Sequence, residues 1–137
     1  MTRPTLLDWL GVAFTCATAI LAALVELFAV PLYSGATLIP LAVVAAVASN
    51  VLLPRLARTL VPTTVAAVLP FAAWLIVVVV VGLMTRPEGD VVLPGGGSVQ
   101  WVGLGVIFAG IVTGIATIVM TLPPPAPRTA VRQPVKG

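Results

Sequence analysis

Four carboxylates, Asp8, Glu26, Glu88 and Asp90, are the whole acidic complement of this 137-residue chain. It has no histidine, so the commonest general base and a favoured metal ligand are both missing. The single cysteine, Cys16, permits neither an internal disulfide nor a CxxC or zinc pattern. Acid–base and nucleophilic mechanisms need a partner group close by, and these four acids are scattered along the chain. The expectation is a non-enzyme without cofactor or metal. Basic residues are dispersed among linkers and tail rather than gathered in a patch, which argues against nucleic acid as a partner.

Three of the acids invite a more specific reading. Glu26 lies within an apolar run, about one helical turn before Pro31. An ionisable group inside a membrane span is a functional-site candidate by default. One reading makes it a proton or cation site, as in small multidrug transporters, where one membrane carboxylate couples transport. Those proteins set the acid deeper and surround it with aromatic residues, whereas the sequence neighbours here are Val25, Leu27 and Phe28. The favoured reading is a carboxylate that reaches the outer interface and pairs with Arg86, whose guanidinium fork offers two charge-assisted hydrogen bonds.

Glu88 and Asp90 fall in TRPEGDVVLPGGGSVQ, residues 85 to 100, the longest polar interruption in the chain. Calcium takes roughly six to eight oxygens, so two carboxylates make a poor set. The Pro94-Gly95-Gly96-Gly97 run lacks the Lys and Ser or Thr of a phosphate-binding loop. Asp90–Leu93 and Ser98–Trp101 flank the glycines like two short strands. A structural cap is expected, a short outer loop or hairpin in which Glu88 and Asp90 form an exposed edge for an outer partner.

The elements that hold these residues follow from composition. The chain is 60% hydrophobic and 8% charged, against roughly a quarter charged in soluble domains. So few polar groups cannot cover an aqueous surface. The lipid bilayer is therefore the expected solvent. Apolar runs at about 9–30, 37–53, 63–84 and 100–122 are each long enough to cross, and they predict an all-α membrane protein, a bundle of four transmembrane helices over residues 1–122. Pro31, Pro54 and Pro123–Pro125 are read as terminators, while Pro40 and Pro70 fall inside spans, where Pro70 should kink the third. The first run is longer than a signal-peptide core and no A-x-A site follows it, so it is read as a retained span.

Arg3, Arg55, Arg58, Arg128, Arg132 and Lys136 fall on one side of such a bundle and Arg86 alone on the other. The positive-inside rule then places both termini in the cytoplasm and the 85–100 stretch outside. Residues 123–137, PPPAPRTAVRQPVKG, read as a disordered, Pro-rich basic tail.

Several uncharged residues have packing roles. Gly103, Gly110, Gly114 and Thr117 share one face of the fourth run, and Gly110 and Gly114 form a GxxxG pair that admits a close helix, from this chain or another. Ala42, Ala45, Ala46 and Ser49 offer a matching small face on the second. Asn50 could bond across to another helix. Thr15 and Thr18 can bond back to their own helix. Trp9 and Trp101 fall at span ends, and Trp74 lies mid-span, packed or facing lipid.

Residues 26–42, ELFAVPLYSGATLIPLA, and 84–94, MTRPEGDVVLP, resemble an uncharacterised family of small actinobacterial membrane proteins with four helices and a TRPEGD-type segment after the third. Arg86 to Asp90 match that segment. The resemblance implies the same four-helix architecture and, because some members are encoded near a mycothiol-pathway deacetylase, an envelope or redox context; it carries no catalytic role. The combined expectation is an accessory or interaction subunit of a larger cell-envelope system in the cytoplasmic membrane, partnered by another membrane protein or by itself. The alternative is a small homo-oligomeric transporter or channel that uses Glu26.

Overall fold

The computed structural model describes residues 3–30, 32–34, 37–84 and 97–123. Four helices account for most of them: α1 (Leu6–Ala29), α2 (Leu41–Leu60), α3 (Thr64–Gly82) and α4 (Gly97–Met120). Each is long and apolar enough to cross a bilayer, with mean hydropathies of 2.1, 1.5, 2.7 and 2.3. The chain is an all-α, multi-pass four-helix bundle.

Two apolar clusters fix the direction of the helices. Val12 from the start of α1 packs with Ala57 and Val61 at the end of α2 and Ala66 at the start of α3. In the other half, Val30, Ala42, Val78, Val102 and Val106 meet, from the end of α1, the start of α2, the end of α3 and the start of α4. The helices therefore run up, down, up, down. α1 lies against α2 and α3, while α4 lies mainly against α2. The small face of α2 makes that approach close: Ala42 and Ala46 are fully buried, and Val43 Cγ2 lies 3.0 Å from where a Cβ on Gly105 would stand.

Local chemistry sets most of the boundaries. α1 begins with a capping box, in which Asp8 N–H donates to Thr5 Oγ1 at 3.3 Å and Thr5 N–H donates to the Asp8 carboxylate at 2.7 Å. Thr63 caps α3 by accepting from Ala66 N–H. α2 and α3 are joined through residues 61–63 alone, with Pro62 in the link.

α2 departs from the expected 37–53 at both ends. Its N-cap is Pro40, which therefore lies at the helix start, where its missing N–H costs nothing, and not inside the span. A small antiparallel hairpin, β1 (Tyr33–Ser34) and β2 (Thr37–Leu38), precedes it. At the far end α2 continues through Pro54 to Leu60. Pro54 forfeits one hydrogen bond, to the Asn50 carbonyl, but buries its ring, and the following turn buries Ala57. Arg55 and Arg58 consequently lie in the last turns of α2 and not in a linker. Pro70 is a buried interior residue of α3. α4 starts at Gly97, which holds φ 71°, so Ser98–Trp101 form its first turn and not the second strand of a hairpin. Glycine adopts that left-handed conformation without steric cost and sets the chain into the helix.

Candidate functional site

Glu26 occupies the last full turn of α1, yet it is 1% exposed. A helical Cα–Cβ bond tilts towards the N-terminus of its helix. From this position the side chain leans back into the bundle, away from the end where α1 finishes. It meets Ser49 and Trp74, each about two turns inside its own helix, at matching levels because α2 and α3 are antiparallel. Ser49 Oγ donates to Glu26 Oε1 at 2.8 Å, and Trp74 Nε1–H donates to Glu26 Oε2 at 2.6 Å. Among the described residues each carboxylate oxygen thus has one donor, from a different helix. The expected approach of Glu26 to the outer interface is replaced by this inward engagement.

The indole carries the connection on to the fourth helix. Its far edge, Cη2 and Cζ2, rests against the backbone of Gly110, so closely that a Cβ there would overlap the ring. Phe71, one turn earlier in α3, stacks on Trp74 with centroids 6.3 Å apart and fills the corresponding space at Gly114. The GxxxG pair is thus a seat for two aromatic rings from α3. Gly103 and Thr117 are buried on the same face of α4. Through one carboxylate and one indole, α1, α2, α3 and α4 are tied at a single level.

Several other polar side chains of the helices bond to their own helix. Thr15 Oγ1 donates to the Val12 carbonyl at 2.7 Å and Thr18 Oγ1 to that of Phe14 at 2.9 Å. Thr113 Oγ1 donates to the Ala109 carbonyl at 2.6 Å. Asn50 does the same: Nδ2 donates to the Ala46 carbonyl of its own helix at 2.9 Å, and among the described residues it does not bond across to a neighbour. The preference has a simple cause, since the i−4 carbonyl is always within reach of a short amide and a cross-helix acceptor has to be supplied by packing.

The cations described, Arg3, Arg55 and Arg58, belong to the half of the bundle where α1 starts and α2 ends, remote from Glu26. Arg86, Glu88 and Asp90 lie outside the described residues, and with them the expected Glu26–Arg86 pair and the acidic edge. Among the described residues no cluster of His, Cys, Asp or Glu could hold a metal ion. What the arrangement can do chemically is hold or exchange a proton on Glu26, or accept a further donor; a carboxylate has about four lone pairs, and the described residues engage two.

Neither Ser49 nor Trp74 was tied to Glu26 by sequence reasoning. The signal was present in part. A mid-span tryptophan carries an N–H that lipid cannot satisfy, and Glu26 is the one ionisable acceptor in the apolar runs. No family model, curated protein or solved structure matches the chain.

Proposed function

We propose that this protein is a non-catalytic subunit of the cytoplasmic membrane that works as an accessory or interaction partner in a larger cell-envelope system, with both termini in the cytoplasm. One observation carries the reading: among the described residues, the one acidic side chain buried in the bundle is spent on joining α1 to α2 and α3, and Thr15, Asn50 and Thr113 bond within their own helices. An interior so engaged supports a scaffold whose outward surfaces meet partners. The similarity of residues 26–42 and 84–94 to small actinobacterial membrane proteins is the ground for the envelope context. Pull-down from gently solubilised native membranes tests it. A stoichiometric larger complex is the expected result, and recovery of this chain alone would overturn the assignment.

The orientation rests on six basic residues against one. In a Cys16→Ala background, an impermeant thiol reagent added to intact cells should modify Ser98→Cys, at the exposed start of α4, and spare Thr129→Cys. Modification of both, or of Thr129→Cys only, reverses the topology.

A specific observation favours a second reading, a small homo-oligomeric transporter using Glu26. The carboxylate has an aromatic partner in Trp74, itself stacked on Phe71, and lines a cleft on the bundle surface. Purified protein running as a homo-oligomer, with flux that depends on Glu26, would establish this reading over the first.

A further inference from the structure

A cleft of about 400 Å³ opens sideways between α1 and α2. Leu21 and Val25 form its rim, 63% and 65% exposed, and the small side chains of Ala22, Ala45 and Ala48 leave the space between the helices unfilled. Its lining is apolar except where Thr18, Glu26 and Ser49 border it. That volume suits a small organic molecule, and apolar walls with one or two polar groups are the usual composition of a ligand site.

The polar groups bordering the cleft have room to respond. Ser49 has a single hydroxyl proton and two acceptors in reach, Glu26 Oε1 at 2.8 Å and the Ala46 carbonyl at 3.2 Å. Turning the hydroxyl to Ala46 releases Oε1 without stranding the serine donor. Trp74 meanwhile keeps its hold on Oε2. A carboxylate in hydrocarbon, with the described cations in the opposite half of the bundle, then gains most from a positive charge arriving through the cleft. A lipid chain fills the same walls but offers that oxygen nothing.

We propose that the α1–α2 cleft is a binding site for a lipophilic organic cation, which enters from the side of the bundle and sets its charge against Glu26. The apolar part of the ligand packs on Leu21, Val25, Ala45 and Ala48, and the charge replaces the Ser49 hydrogen bond at Oε1. This goes beyond the accessory-subunit reading, and it holds or fails independently of whether a larger complex is recovered.

The probe pair is tetraphenylphosphonium and tetraphenylborate, which share a shape and carry opposite charges. Binding to the full-length protein in lipid nanodiscs is measured by equilibrium dialysis against empty nanodiscs. Saturable binding of the phosphonium, at one site per chain, is expected, with no saturable binding of the borate. Glu26→Gln should weaken it by about tenfold or more, as loss of the Coulomb attraction between two poorly solvated unit charges implies. Ala48→Leu fills the cleft from an exposed helix position and should remove binding while the melting temperature stays that of the parent. The proposal is overturned if the phosphonium partitions as into empty nanodiscs, if both ions bind alike, or if Ala48→Leu binds like the parent; the last arm decides the matter even if Glu26→Gln does not fold.

Discussion

Gly110→Ala, the addition of one methyl group, is expected to destabilise the bundle by about 1–3 kcal/mol, the usual range for overpacking a filled core. The methyl would stand inside the Trp74 ring. That ring is rigid, and it is not free to retreat, because its N–H is held by Glu26 at 2.6 Å and Phe71 stacks on it. Gly110→Leu and Gly114→Leu should be worse, since each drives a bulky group into an aromatic neighbour. Gly105→Ala supplies the milder comparison: its Cβ would meet Val43 Cγ2 at 3.0 Å, a contact relieved by a much smaller shift than the overlap at Gly110 requires. The sharpest form of the test is a double-mutant cycle with Trp74→Phe, whose shorter ring withdraws from Gly110. The penalty of Gly110→Ala should shrink markedly in that background. Thermal unfolding in detergent measures all four corners, and costs that simply add would show that ring and glycine do not touch.

Glu26→Ala should cost about 2–5 kcal/mol, combining a cavity with a buried indole N–H left without an acceptor. Glu26→Gln should cost much less, because its amide oxygen still accepts from Trp74 and its amide nitrogen can donate to the Ser49 hydroxyl. A second readout separates this linkage from general loosening. With Trp9→Phe and Trp101→Phe, the remaining indole N–H resonance belongs to Trp74; both replaced residues are partly or largely exposed, at 37% and 74%. That resonance should move strongly upfield in Glu26→Ala and little in Glu26→Gln. Equal stability of the two variants, with an unmoved indole signal, would show that the carboxylate is not what anchors the ring.

The two expectations turn on residues that stood out in the sequence for reasons only half right. Glu26 was conspicuous as a charge in an apolar run, and Gly110 and Gly114 as a GxxxG pair. The expected place of the acid at the outer interface left out the backward tilt of a helical side chain, which carries a carboxylate near the C-terminal end of α1 towards the bundle centre. The glycines were legible as a close approach, but not as an approach by rings rather than by backbone, because the small residues do not say what fills the space they leave.

Composition and periodicity alone determined that the chain is four apolar helices, since hydrocarbon runs of this length satisfy their backbone groups only as helices in a bilayer. They also determined that Thr15 and Thr18 bond within α1, an outcome decided by the helix geometry of a few consecutive residues. Where α2 ends was a tertiary decision. Pro54 reads locally as a stop, but the packing of Ala57 and Val61 against Val12 and Ala66 outweighs the one hydrogen bond that proline forfeits. Trp74 was likewise free to face lipid or core until α1 and α4 came together around it. The meeting of Glu26, Ser49, Trp74 and Gly110 belongs to the tertiary structure alone, because it depends on the rotation and relative height of four helices, and α3 is so uniformly apolar that its own sequence barely distinguishes one face from another.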